Sequence, residues 1–217
     1  MKRIVLMMAL ILSVAGIQGQ GLEIGIHMEP QFAWISSDEG AVINDGTIFN
    51  LNTGVEFDLF FMPNYAFTFG LDFNNQGGKM IYSDSIAFQQ TNGTLEVPAG
   101  ISVKHNLQYL GVPLGLKLTT TELGYTTFFI HGGLAPLFNL KASTSSDELG
   151  YVRENIKPEI HAFTMNYFIA AGIEYRLAGN TAIVTGVKWS SGFNDVTAND
   201  FATNNLNSIG LQLGLKF

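Results

Sequence analysis

Cysteine is missing from all 217 residues, which removes disulfides, thiol nucleophiles and thiolate metal sites together. Charge is scarce as well: 13% of residues are Asp, Glu, Lys or Arg, against 47% hydrophobic. The balance is acidic, formally −7, so the basic patch that nucleic-acid phosphates require is absent and no nucleic-acid partner is expected. Beyond the first twenty residues no apolar run approaches the roughly 18 residues of a membrane-crossing helix. Yet phenylalanine alone occurs 17 times and mean hydropathy is +0.21. So apolar a chain, with no helix to bury its surface, needs another place to put it.

Lys2 and Arg3 precede the apolar run Ile4–Val14, and small residues follow at Ala15, Gly16 and Gly19. That order of charged, apolar and small residues predicts a secretory signal peptide over residues 1–19, cleaved after Gly16 or Gly19. Residues 20–217 then form one domain. Losing Lys2 and Arg3 leaves nine basic against eighteen acidic residues, a net −9.

Periodicity supplies the place. From Leu22 to Trp34 the even positions are Leu22, Ile24, Ile26, Met28, Pro30, Phe32 and Trp34, with Glu23, Gly25, His27, Glu29, Gln31 and Ala33 between them. Period two over thirteen residues is a strand longer than soluble domains usually carry. The pattern returns over Phe49–Phe61, Tyr65–Phe73, Leu107–Leu118, Thr126–Leu140, His161–Leu177, Thr181–Ser190 and Ser208–Phe217, which predicts eight strands. Short turns fall near Pro63-Asn64, 120–125 and 178–180; long polar links fall at 36–47, 75–100, 141–160 and 190–205. The second carries Met80, Ile81, Tyr82, Ile86 and Phe88, so part of it is expected to extend the strands above the membrane. Short turns alternating with long loops, between strands apolar on one side and polar on the other, describe an all-β, eight-stranded, antiparallel up-and-down transmembrane β-barrel in a bacterial outer membrane. Trp34, Tyr65, Tyr125, Tyr175 and Trp189 suit the interfacial girdles.

A soluble barrel, apolar inside, would share the period. Glycine on the polar face decides against it. Gly25, Gly54, Gly70, Gly115, Gly172, Gly186, Gly210 and Gly214 recur there, as a crowded narrow lumen needs and a solvated surface does not. The last strand reads Ile209, Leu211, Leu213, Leu215 and Phe217 on one side. Such an aromatic-ended strand is expected to close against the first and to serve as an assembly signal for the barrel assembly machinery.

An eight-stranded barrel is filled by its own side chains. The inward candidates for that structural plug are Glu23, His27, Glu29, Glu56, Asp58, Asp72, Lys117, His131, Glu174, Arg176 and Lys188, acids and bases together, so that buried charges can pair. His27 and Glu29 lie on one face at i and i+2, a spacing that could begin a metal site, but no third ligand is identifiable, and no metal or cofactor is expected. Ser102 and His105 are placed where an outer-rim enzyme would carry its nucleophile and base, but no nucleophile motif accompanies them; the chain is read as non-enzymatic.

The segment Asn106–Leu118, NLQYLGVPLGLKL, resembles the Tyr-Leu-x-Ile/Val-Pro-Leu signature of PorT-like outer-membrane barrel proteins of Bacteroidota, carried here by Tyr109, Leu110, Val112, Pro113 and Leu114. FFIHGGLAPLFNL (128–140), AAGIEYRL (170–177) and TGVKWSSGFNDV (185–196) are similar to the same family's Gly-rich strand, Gly-x-Glu-Tyr strand and aromatic-x-x-Gly exit. Gly111 stands where the family often has an acidic residue. The resemblance implies the fold strongly and the role weakly. It implies outer-membrane lipid as surroundings and, through PorT, secretion-system subunits as partners in type IX protein secretion. Surface-loop adhesion, ligand binding or structural support stands as a second reading, and a small-solute channel as a third.

Overall fold

In the computed structural model, which describes residues 21–38, 40, 42–90, 93–198 and 202–217, eight strands close into one antiparallel barrel. The expected signal peptide lies outside the described residues. The strands are β1 (Leu22–Ser37), β2 (Ile48–Met62), β3 (Tyr65–Tyr82), β4 in two halves (Ser102–Gly111 and Leu114–Thr119), β5 (Thr126–Ser146), β6 (Phe163–Ala178), β7 (Thr181–Gly192) and β8 (Asn204–Lys216). Each pairs with its chain neighbours, and β8 pairs with β1 from Gly25↔Lys216 to Ser37↔Asn204. Reciprocal bonds between Ile24 and Phe217, 2.8 and 3.1 Å, finish that seam. Its ladder skips Glu29 and Pro30, the proline having no N–H to give.

The break in β4 has the same cause. Pro113 cannot donate, but its carbonyl accepts from Gly70 N–H at 3.0 Å and Val112 N–H reaches Pro136 O at 2.9 Å. Pairing of the wall therefore survives the proline, as hydrocarbon requires.

The expected parity holds strand by strand. Ile24, Ile26, Met28, Phe32, Phe67, Phe69, Leu71, Ile130, Ile169, Val187 and Leu211 are exposed on the outside, and Asp58, Thr68, Asp72, Lys117, His131, Glu174 and Lys216 are buried within. Tyr65, Tyr125 and Tyr175 mark the short-turn rim; Trp189, against Tyr167 at 5.3 Å, marks the other. Glycine permits the closest approach of the wall to its own filling. Gly172 faces Gly186 across β6 and β7 with the Phe129 ring laid over both, and a Cβ on Gly172 would come within 2.2 Å of Thr185 O.

The strands extend beyond the expected segments on the long-loop side. β3 continues to Tyr82, β4 begins at Ser102 and β5 continues to Ser146. Above the membrane band a short strand, Val42–Gly46, pairs with β3, another, Tyr151–Asn155, pairs with β5, and Ile86–Gln90 with Gly93–Val97 forms a separate hairpin. Part of 75–100 extends the strands as expected, and together the links build a crown with its own apolar core: Ile35, Met80, Tyr82, Phe88, Val97, Val103, Ile156, Val196 and Leu206 are buried together.

Leu213 faces lipid. Leu213→Arg should cost about 2–4 kcal/mol if it lies near the midplane, or block assembly, whereas Gln212→Arg, facing the lumen, escapes the lipid penalty. Urea unfolding in lipid vesicles, read by heat-modifiable migration on gels, measures both. Equal assembly of Leu213→Arg and wild type would contradict the parity of β8.

Candidate functional site

The inside of the barrel is stacked in three layers, each set by which inward position of each strand reaches that height. The lowest, nearest the short turns, is ionic. Lys117 on β4 is 2% exposed, and its Nζ lies 2.7 Å from Asp58, 3.4 Å from Glu56 and 2.9 Å from Glu174. Lys216 on β8 reaches Glu23 at 2.6 Å and also pairs with Glu174. One step higher, Lys188 on β7 reaches Glu29 at 3.2 Å, and His27 Nε2 lies 3.4 Å from Asp72. His131 sits between the two steps, Nε2 2.6 Å from Thr68 Oγ1 and Nδ1 3.7 Å from Glu56.

Each ammonium also has an aromatic face beside it: Phe129 is 5.0 Å from Lys117 and Phe168 is 5.2 Å from Lys188. Pairing and ring contacts together offset the cost of taking these ions out of water, which for an unpaired buried charge runs to several kcal/mol. The six carboxylates of this layer outnumber its three lysines, and the two histidines each face a carboxylate.

The middle layer is amide and hydroxyl. Gln31 Nε2 donates to Asn52 Oδ1 at 3.3 Å and to Asn75 O at 2.6 Å; Asn166 Nδ2 donates to Ser190 Oγ at 3.2 Å. The top layer is apolar, with Tyr109, Leu107 and Leu137 at most 1% exposed, and it runs into the crown core without a gap.

The residues expected inside are thus brought together, apart from one. Arg176 has inward parity but lies at the rim, half exposed and paired with Glu122 of the β4–β5 turn. It helps line a cavity of about 340 Å³ open to the short-turn side, floored by Glu174 and Lys216. His27 and Glu29 do not converge, since one faces Asp72 and the other Lys188. Ser102 and His105 fall on opposite faces of β4. Ser102 Oγ donates to Asp45 Oδ2 at 2.5 Å outside, while the His105 ring is buried inside, so they make no nucleophile–base pair. Sequence reading missed the partners in the crown. Glu159, on a 3₁₀ turn, accepts from Gln89 N–H at 2.6 Å and so ties the hairpin over the barrel mouth. Phe88 and Ile86 alternating within a loop were the available signal.

His105 sits above the lipid band, level with Gly78 and Thr144. Its Nε2 is 3.0 Å from Tyr82 OH, with Phe88 edge-on at 5.6 Å and Glu159 lining the same small cavity. Burial lowers its pKa from 6.5 to about 4 and raises that of Tyr82.

Two predictions follow from these contacts. Lys117→Met leaves Glu56, Asp58 and Glu174 without their shared cation and should destabilise the barrel by about 3–5 kcal/mol, with part of the loss recovered by adding Asp58→Asn; urea midpoints in detergent measure both. His105 takes up a proton at about pH 6.5 when unfolded but only near 4 when folded. Its contribution is complete above 6.5 and fades as pH falls toward 4, by at most about 3 kcal/mol. Hydrogen exchange of crown amides should accelerate over that window, and His105→Phe should flatten the dependence.

The model of a family described as outer membrane protein beta-barrel domain matches residues 18–198. No curated protein matches the chain in sequence. Among solved structures, Neisserial surface protein A aligns with a TM-score of 0.49 and 11% identity over 92% of this chain and 98% of that one. Ail, the attachment invasion locus protein of Yersinia pestis, aligns at 0.43 and 13% over 90% and 98%. The outer membrane protein OprG from Pseudomonas aeruginosa aligns at 0.42 and 10% over 91% and 97%.

Proposed function

The chain belongs to the outer membrane protein beta-barrel domain family, and from that premise we propose that it is a non-conducting, non-enzymatic barrel of the bacterial outer membrane that works by holding a partner at one of its surfaces. The observation that carries this reading is the double closure of the lumen. Lys117 and its three carboxylates fill the lower half, and the apolar crown seals the upper. A solute would have to break both. The surfaces left to act are the crown outside and the polar cavity at the short-turn rim, and folded loops are where recognition is ordinarily carried.

The finer form of the proposal makes the partner a subunit of a protein-secretion apparatus. It rests on the resemblance of Asn106–Leu118 and the later segments to PorT-like barrels, an analogy of fold and motif. Adhesion through the crown is the second reading, favoured by the paired strands Ile86–Gln90 and Gly93–Val97.

Mild-detergent purification from native outer membranes, with mass spectrometry of what accompanies the barrel, tests the first. Secretion subunits are expected in stoichiometric amount, and replacing Ile86–Val97 with a short Gly-Ser link should remove them if the crown is the contact. Planar bilayers should show no stepwise conductance. Recovery of the barrel alone, together with discrete conductance that Glu174→Gln alters, would overturn the proposal in favour of a channel.

A further inference from the structure

The placement of positive charge on this acidic chain is uneven. Nine basic residues follow Gly21. Lys117, Lys188 and Lys216 lie in the lumen and Arg176 at the short-turn rim. The remaining five, Lys79, Lys104, Lys141, Arg153 and Lys157, are exposed on one outer wall. Register puts them in a band. Lys79 pairs with Lys104, which pairs with Ser145; two steps down toward lipid, Gly77, Asn106 and Ser143 align; two further, Asn75, Gln108 and Lys141. Arg153 joins through its N–H to Ser145 Oγ at 2.9 Å, and Lys157 Nζ donates to Leu140 O at 3.2 Å, beside Lys141.

Directly beneath this band the same three strands present Phe73, Leu110 and Phe138 to lipid. Strands β3, β4 and β5 contain one acidic residue, Asp72, and it faces the lumen. Carboxylates near the band include Asp45, accepting from Ser102, and Glu154, next to Arg153, with Asp147 and Glu148 in the turn above Ser146.

The band is also concave. A cavity of about 210 Å³ runs across it, lined by Asn75, Asn106, Gln108, Lys141, Ser143 and Arg153, and by Asn50, whose buried Nδ2 has no hydrogen-bond partner. It opens where β2 and β3 part. Their ladder ends at Thr53↔Phe73, and Asn75 bonds instead to Asn52 Oδ1 and Leu51 O. Arg153 holds a left-handed backbone, φ 57°, which among the described non-glycine residues it alone does.

We infer that this wall is a binding site for the phosphorylated headgroup of an outer-leaflet glycolipid, with Lys141 and Arg153 on the phosphate and the amides of Asn75, Asn106 and Gln108 on sugar hydroxyls. Charge sets the sign of the ligand, since cations and amide donors converge on a cavity whose lining holds no carboxylate. Position sets its source. A headgroup whose acyl chains lie along Phe73, Leu110 and Phe138 places its phosphates at the height of Lys141, whereas a soluble anion gains nothing from the apolar rows below. The site is separate from the hairpin strands Ile86–Gln90 and Gly93–Val97 and from the short-turn rim, since it uses the outer wall of β3, β4 and β5 with the adjoining strand Tyr151–Asn155.

The test is titration of the detergent-solubilised full barrel with fluorescent lipid A, read by polarisation. Saturable binding is expected, weakening with salt. The double variant Lys141→Gln/Arg153→Gln should bind roughly thirtyfold more weakly, each surface charge being worth about fivefold, while Arg176→Gln at the opposite rim binds as wild type. Both altered side chains are exposed, and heat-modifiable migration verifies that the variant is folded. Wild-type affinity in the double variant, or equal binding of dephosphorylated lipid A, would overturn the assignment. So would full competition by inorganic phosphate or a soluble sulfated polysaccharide, which would make the ligand a soluble anion.

Discussion

Everything in this molecule depends on the closure of β8 onto β1. In hydrocarbon an unpaired backbone N–H or C=O costs several kcal/mol, so a sheet can lie there only if it has no edge. The bonds between Ile24 and Phe217 complete the last seam. The prolines at 30 and 113 are tolerated because the neighbouring groups find other partners or the ladder skips them. With eight strands, closure also fixes the bore, about wide enough to be filled by side chains. Gly172 and Gly186 beneath the Phe129 ring are the local consequence.

The ionic filling does more than occupy space. A strand slipped by one residue would turn its whole inward set toward lipid. For β4 that set includes Lys117, and for β6 Glu174, so a slip would carry an ammonium or a carboxylate into the bilayer and open the Lys117 cluster at once. An apolar lumen would carry no such penalty, because both faces would then suit lipid. Buried ion pairs are weak evidence of net stability; here they distinguish the two faces and so fix register.

Much of this was legible in the residues. The parity of Leu22–Trp34, Tyr65–Phe73 and Asn106–Leu118 could be read because lipid and lumen make opposite demands on alternate positions. The pairings inside could not. Glu29 and Lys188 are 159 residues apart, and inward parity places both in the lumen without saying that they meet. Arg176 misled for a related reason: parity gives the direction of a side chain but not its height, and this one lies at the short-turn rim, half exposed. The crown was legible only in part: Met80, Tyr82 and Phe88 show as apolar positions within 75–100, but Ile156 and Val196 come from separate segments with no period to link them.

The two halves of the lumen are closed by different physics, and this bears on what the protein is for. The lower plug is electrostatic and buried, so bulk salt screens it little. The upper plug is hydrophobic and held over the mouth by Glu159 and the Tyr82–His105 contact, in which burial keeps His105 neutral down to about pH 4. A barrel built to open would place its barrier on one switch, with a lumen continuous on either side of it. Here the amide layer between the plugs holds only about 10 Å³ of free space, near the minimum for one water. Loosening the crown would therefore leave the ionic plug in place beneath it.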